Sequence, residues 1–221
     1  MERLQKWTVS FALMVIAVAV SFLWLDRPIA FFAHDHLLQA PIFPGLTLLP
    51  EPLVPIALAS LLALGLWRLA GQSMTKPLTT LLLCSVSLIV AETFKSQLKY
   101  LFGRTWAETW INGNPSLIRD GVYGFNFLHG GAGYASFPSG HTTAICAAVS
   151  VLWICYPKFR PLYGVAVAAV AVGLIGADYH FLSDIIAGGF LGTTSGWFAV
   201  LLAGEEPIRN SATRRPIVSL G

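Results

Sequence analysis

The chain has 221 residues, of which 55% are hydrophobic and only 11% are charged. Its mean hydropathy is +0.67, and so few polar groups cannot cover the surface of a water-soluble protein of this size. The formal net charge of +3 is spread over short segments between apolar runs, which excludes a basic tract that follows a nucleic-acid backbone. We therefore expect a membrane protein with no nucleic-acid partner.

Several apolar runs are long enough to cross a bilayer as helices, which takes roughly 17–25 predominantly apolar residues. The first run carries no charge and is followed by Asp26 without a small-residue cleavage site, which predicts a retained anchor rather than a signal peptide. Three runs begin with a proline, which is favoured at the first helical position. We predict an all-α bundle of six transmembrane helices at residues 7–25, 52–70, 77–98, 141–156, 161–177 and 183–203.

The basic residues predict the orientation of the bundle, because short loops rich in Lys and Arg stay in the cytoplasm. With the N-terminus inside, nine of the fourteen Lys and Arg residues are cytoplasmic, namely Arg3, Lys6, Arg68, Lys76, Lys158, Arg160, Arg209, Arg214 and Arg215. We expect one membrane domain at 1–204, with a long loop at about 99–140 on the outer face, and a cytoplasmic tail at 205–221. Segment 27–51 is predicted to be an outer loop or a short interfacial helix.

Two histidines, His34 and His36, lie two positions apart in that segment. A structural zinc site usually has four ligands, and the sequence shows no other evident ligand for this pair. We therefore interpret the histidines as surface or headgroup-level residues rather than as a metal site.

Polar residues are predicted to meet on the outer face of the bundle. Lys99 lies at the outer end of the third predicted span, and His141 begins the fourth. His180 and Asp184 lie where the fifth span connects to the sixth. Because ionisable groups at membrane depth are costly and tend to be functional, we expect these four residues to share one site.

The spacing of these residues favours chemistry on an anion. Ser139 precedes an apolar run and is predicted to cap a helix whose free N–H groups bind an anion, while Gly140 permits close approach to the backbone. His180 and Asp184 are four positions apart, so the carboxylate can orient an imidazole that acts as nucleophile or base. Taken singly, each pattern also fits a purely structural role.

The third predicted span presents Glu92, Lys95 and Lys99 on one helical face. We interpret Glu92 and Lys95 as a structural pair that neutralises itself, and Lys99 as an anion ligand. Arg104 in the following loop is a candidate bidentate phosphate ligand. Together with two imidazoles these cations suit phosphoryl transfer, and the apolar bundle indicates a lipid substrate.

Three motifs in this arrangement resemble those of the type 2 phosphatidic acid phosphatase (PAP2) superfamily: Lys99 leading into Arg104, the Phe-Pro-Ser-Gly-His run at 137–141, and His180 followed by Asp184. The resemblance implies a six-helix lipid phosphatase that uses no metal and no other cofactor. It also implies a site on the periplasmic face, and the sparse basic residues of the outer face suit a bacterial inner membrane.

The resemblance assigns a role to each candidate residue. His180 is expected to attack phosphorus, with Asp184 as its support, and His141 to protonate the leaving oxygen. The residues expected to hold the phosphate are Lys99, Arg104, Ser139 and Gly140.

The sequence departs from the family pattern at two positions. Trp106 and Ala107 stand where the first motif has Arg-Pro, and Leu174 stands where the third motif has Arg. Arg104 is expected to supply one of the missing guanidinium groups. The departures keep two alternatives open: a phosphotransferase with the same residues, or a lipid-binding or transport protein without catalysis. A metal-dependent hydrolase is disfavoured, because carboxylates near the histidines are sparse.

Overall fold

The computed structural model describes residues 2–110 and 112–204, and the predicted tail at 205–221 lies outside the described residues. Helix α1 (Glu2–Val20) continues through a π-helical turn (Ser21–Leu25) into α2 (Asp26–His36). Residues 27–36, predicted to belong to an outer loop or a short interfacial helix, are therefore helical and continuous with the first predicted span. The π turn accommodates Pro28, which has no N–H to donate to the preceding turn.

The other regular elements of the described chain are also helices. They are α3 (Ile42–Thr47), α4 (Leu53–Leu69), α5 (Lys76–Phe102), α6 (Leu117–Asp120), α7 (Gly140–Cys155), α8 (Arg160–Gly176) and α9 (Leu182–Leu202). Within the described residues, four helical segments are long and apolar enough to span a membrane: Leu4–His36, Lys76–Phe102, Pro157–Gly176 and Leu182–Leu202. The apolar helices α4 and α7 have 17 and 16 residues. The chain is an all-α multi-pass membrane protein, and the count of six spans stays a prediction.

Helix α7 lies in the centre of the bundle, where it packs against α5, α8 and α9. Three glycines, Gly188, Gly192 and Gly196, bring α9 into backbone contact with α7, since a Cβ at Gly192 would lie 2.3 Å from the carbonyl oxygen of Thr143. Small residues at every fourth position permit such close packing of membrane helices. The packing places Asp184, one turn before Gly188, beside the start of α7.

The loop between α5 and α7 folds back over the ends of these helices. It begins at Gly103, which has a φ of 53° and whose Cβ, if present, would lie 1.9 Å from the carbonyl oxygen of Asn126. Backbone hydrogen bonds then hold the loop, from Leu117 N–H to the Trp106 carbonyl (3.0 Å) and from Ser136 N–H to the Arg104 carbonyl (3.1 Å). As a result, the side chains of Arg104 and Trp106 are buried against the bundle.

Candidate active site

A cavity of about 570 Å³ opens at the end of the bundle where α5 ends and α7 begins. Its wall includes Lys99 from α5, His141 from α7 and His180 from the connection between α8 and α9. These three side chains are far apart in the sequence and meet here, as the predicted topology requires.

His180 lies against Asp184 at the inner wall of this cavity. Its Nδ1 is 3.3 Å from Asp184 Oδ2 and 3.4 Å from Ser136 Oγ. Since Asp184 is fully buried, this contact directs Nδ1–H inward and leaves Nε2 for the cavity. Burial lowers the pKa of His180 from its ordinary value, because desolvation outweighs the attraction of Asp184 for the imidazolium.

Three further donors hold the Asp184 carboxylate. Ser136 Oγ donates to Oδ2 at 2.5 Å, and the Phe181 N–H donates to the same oxygen at 3.1 Å. Arg104 donates from NH1 to Oδ1 at 2.5 Å. The carboxylate is therefore fixed in place before any ligand binds, and with it the orientation of the His180 ring.

His141 faces His180 within the cavity, with the two ring centroids 6.4 Å apart. It is the second residue of α7, two positions after the helix cap. Ser139 caps α7 as predicted, its Oγ accepting from the Thr142 N–H at 3.5 Å. The Ser139 side chain is fully buried, whereas Gly140 lies at the cavity wall. The cavity wall therefore includes Gly140 but not the hydroxyl of Ser139.

Two lysines of α5 line the same cavity, although the sequence reasoning selected only Lys99. Lys99 Nζ donates to the Ala135 carbonyl at 2.5 Å. Lys95 forms the predicted ion pair with Glu92, yet its Nζ also lies 3.4 Å from the point where a Cβ of Gly140 would stand. Lys95 therefore reaches the N-terminus of α7. Its spacing of four from Lys99 was the sequence feature that indicated this shared face.

Arg104 lies behind Asp184 and does not line the cavity. The guanidinium is completely buried, with NH1 2.5 Å from Ser183 Oγ and NH2 2.7 Å from Asp26 Oδ2 in addition to its bond with Asp184. Four aromatic rings surround it at 4.4 to 5.4 Å from its Cζ, namely Phe22, Tyr123, Phe125 and Phe181. The sequence predicted that Arg104 binds the phosphate, but its guanidinium is held by the buried carboxylates of Asp26 and Asp184.

The sequence reasoning missed the partner of Arg104 at the start of α2. Asp26 is buried, accepts from the Ser183 N–H at 2.9 Å, and also accepts from the Ser183 hydroxyl. Tyr123 donates its hydroxyl to the Phe22 carbonyl at 2.6 Å and closes the same network. No local pattern around Asp26 indicated these contacts, because Ser183 and Arg104 lie 157 and 78 positions away.

The sequence profile of the PAP2 superfamily matches residues 80–207, more than half of the chain. The chain belongs to the PAP2 superfamily. Over 83 residues it is 31% identical to a lipid A 1-phosphatase of Rhizobium etli and, over the same length, 29% identical to a lipid A 1-phosphatase of Rhizobium johnstonii. Each alignment covers 38% of this chain and about a third (34% and 33%) of the curated relative.

A solved PAP2 structure shares the fold. It is the crystal structure of the first transmembrane PAP2 type phosphatidylglycerolphosphate phosphatase from Bacillus subtilis, which superposes with a TM-score of 0.54 at 17% identity. The match covers 93% of this chain and 99% of that chain. It therefore includes the helices before residue 80 that the PAP2 profile does not reach.

Within the PAP2 fold, an aromatic wall occupies the region where the first motif arginine is expected. The Trp106 ring lies 5.1 Å from the His180 ring and 4.8 Å from Trp110, which in turn lies 5.2 Å from Tyr179 (centroid distances). Leu174, at the position of the third motif arginine, is completely buried in the apolar core. Neither position supplies a cation to the cavity.

Proposed function

We propose that the protein is an integral-membrane lipid phosphatase that hydrolyses a phosphomonoester or diphosphate headgroup through a phosphohistidine intermediate. The observation that carries the proposal is the His180–Asp184 pair, which faces a cavity shared with His141 and two lysines. A pure binding site for a lipid has no need of an oriented imidazole, whereas a nucleophile that forms a covalent intermediate does.

In the proposed first step, Nε2 of His180 attacks phosphorus and the bond from phosphorus to the lipid oxygen breaks. His141 gives its proton to that oxygen, and Asp184 stabilises the positive charge that develops on the His180 ring. In the second step His141 takes a proton from water, whose oxygen attacks phosphorus and releases His180. Neither step uses a metal ion or another cofactor.

We propose that Lys95, Lys99 and the backbone at Gly140 hold the phosphate, with Ser139 acting as the cap that orients this helix end. Arg104 is assigned a different role from the predicted one: it fixes Asp184 from behind. The two lysines then supply the positive charge that Trp106 and Leu174 do not.

The apolar helices around the cavity support a lipid substrate, and the relatives are named for lipid phosphates. We propose one membrane domain at 1–204 in a bacterial inner membrane, with the site on the periplasmic face and residues 205–221 in the cytoplasm. A phosphotransferase would use the same residues and pass the phosphoryl group to an acceptor lipid, and a non-catalytic binder would not form the intermediate.

Phosphate release from a panel of phosphorylated lipids tests the proposal. Detergent-purified protein, with EDTA present, is offered a lipid A phosphate, phosphatidylglycerolphosphate, a phosphatidic acid and a polyprenyl diphosphate. His129→Ala is the matched control for histidine variants in the cavity, since His129 is exposed and lies outside the cavity. Phosphate release from one lipid class, by wild type and by the control alike, supports hydrolysis. Labelled phosphate found only on an added lipid would indicate transfer. If neither the protein nor any product became labelled with any substrate, both hydrolysis and transfer would be refuted.

We expect Lys95→Gln to raise KM about tenfold to a hundredfold, because a charge-assisted contact to phosphate contributes about 1.5–3 kcal/mol. Lys95→Arg should recover much of the loss. The control is Lys76→Gln, on the same helix at its opposite end. Steady-state kinetics on the best lipid substrate measures the effect. An unchanged KM in Lys95→Gln would leave Lys95 as a structural partner of Glu92 only.

Replacement of His141 should depend on the leaving group. We expect His141→Ala to lower kcat by about 100-fold to 10,000-fold on a lipid alkyl phosphate, since general acid catalysis contributes about that much. On p-nitrophenyl phosphate, whose leaving oxygen needs no proton, the loss of phosphorylation rate should be much smaller. Comparison of single-turnover rates for the two substrates measures this difference. Equal losses on both would contradict the acid role.

A further inference from the structure

A second cluster of polar side chains lies outside the cavity and is not used by the proposed chemistry. It consists of His34 at the end of α2, Glu108 in the loop after α5, and Asp178 in the turn between α8 and α9. One potential ligand atom from each residue lies within 4.8 Å of the other two. His34 Nδ1 is 2.7 Å from Glu108 Oε2.

The cluster has more negative charge than its neighbours neutralise. Asp178 is 1% exposed, and its Oδ2 is buried with no hydrogen-bond partner among the described residues. Within the described part of the chain, Arg104 pairs with Asp26 and Asp184, and Arg119 pairs with Asp120. A buried carboxylate without a partner is costly, so this oxygen requires a cation or a proton.

The donor set suits a divalent transition metal. Zinc accepts imidazole nitrogen and carboxylate oxygen at about 2.0–2.2 Å, which separates ligand atoms around one ion by roughly 3–4 Å. The ligand atoms of the cluster all lie within 4.8 Å of one another, and the 2.7 Å from His34 Nδ1 to Glu108 Oε2 is slightly shorter than that spacing. One imidazole and two carboxylates leave one coordination position for water or another ligand.

We propose that His34, Glu108 and Asp178 bind a divalent metal ion of the zinc type, with a water molecule as the fourth ligand. None of the three lines the cavity, so the ion would not contact the phosphate. It would join the end of α2 to the loop that carries Trp106 and to the turn that carries His180. The ion thereby stabilises the segments that form one wall of the cavity.

The sequence alone favoured the opposite conclusion for His34. The nearby histidine that suggested a metal site, His36, lies outside the cluster, where its Nδ1 contacts the Phe32 carbonyl at 3.1 Å. The partners of His34 come instead from 74 and 144 positions further along the chain, a separation that no local spacing reveals.

Metal binding is tested on full-length protein purified in detergent and made metal-free by dialysis against a chelator. Calorimetric titration with Zn²⁺, and separately with Mn²⁺, gives the stoichiometry, and thermal unfolding gives the shift in Tm. We expect one ion per chain and a rise in Tm by several degrees, since a ligand that binds only the folded state stabilises it. Chelation should lower Tm while turnover at room temperature continues.

Three variants decide whether the ion occupies this cluster. His34→Ala and Asp178→Asn should lose the bound ion and the Tm shift, whereas the control His36→Ala should keep both. Asp178→Asn should in addition raise the Tm of the metal-free protein, because it removes an unpaired buried carboxylate. That rise shows that the variant folds. Equal Zn²⁺ binding by wild type and His34→Ala would place the ion elsewhere and overturn the proposal. A wild-type Tm indifferent to Zn²⁺ would also overturn it, and would mean that a proton rather than a metal ion neutralises Asp178.

Discussion

Replacing His180 with alanine should abolish phosphate release, with kcat lowered by at least about 1,000-fold. The imidazole is the proposed nucleophile. Among the described residues that line the cavity, no other group combines neutrality with a carboxylate that orients it. Its Nδ1 lies 3.3 Å from Asp184, which directs Nε2 to the substrate. The measurement is single-turnover phosphate release on the preferred lipid.

A second variant distinguishes the nucleophile, His180, from the carboxylate that supports it, Asp184. Asp184→Asn keeps the shape of the carboxylate but not its charge, so we expect an intermediate loss of kcat and a retained phosphohistidine. Protein incubated with ³²P-labelled lipid and then denatured in alkaline SDS, in which the N–P bond of phosphohistidine is stable, should carry label in wild type, and none in His180→Ala. Label that survives in His180→Ala, with normal folding, would assign the nucleophile to another residue.

The sequence predicted those helices whose bounds depend on the length of an apolar run. The runs that became α4, α5, α7, α8 and α9 were each predicted within a few residues, because proline starts and apolar length are local properties. The first span was not bounded correctly. Asp26 and Arg27 look like the end of a membrane helix, but Asp26 is buried by Arg104 and Ser183, so the helix continues past it.

The site was predictable to the extent that topology brings helix ends together. Lys99, His141 and His180 were expected at one end of the bundle and all three line one cavity. The direction in which a loop side chain points could not be predicted from topology. Arg104 was expected to face the phosphate, but the loop folds inward at Gly103 and turns the guanidinium to the far side of Asp184. That turn depends on long-range contacts with α2 and α9.

Arg104→Ala should therefore destabilise the protein strongly rather than weaken phosphate binding. Removing one partner of a buried ion pair costs about 3–5 kcal/mol, and here it leaves Asp26 and Asp184 facing each other without a counter-charge. Thermal unfolding in detergent, followed by tryptophan fluorescence, measures the loss. The control is Arg119→Ala, because Arg119 pairs with Asp120 at the surface, where an ion pair contributes little.

Kinetics distinguishes this support role from the phosphate ligand that the sequence suggested. If Arg104 fixes Asp184, then Arg104→Lys, which keeps the charge but not the planar fork, should fold, lower kcat and leave KM nearly unchanged. A ligand of the phosphate would instead show a raised KM in a protein of normal stability. In the double-mutant cycle of Asp26→Asn with Arg104→Ala, the losses of stability should be strongly non-additive, because one network contains both residues. Additive losses of stability together with a raised KM would instead identify Arg104 as a phosphate ligand.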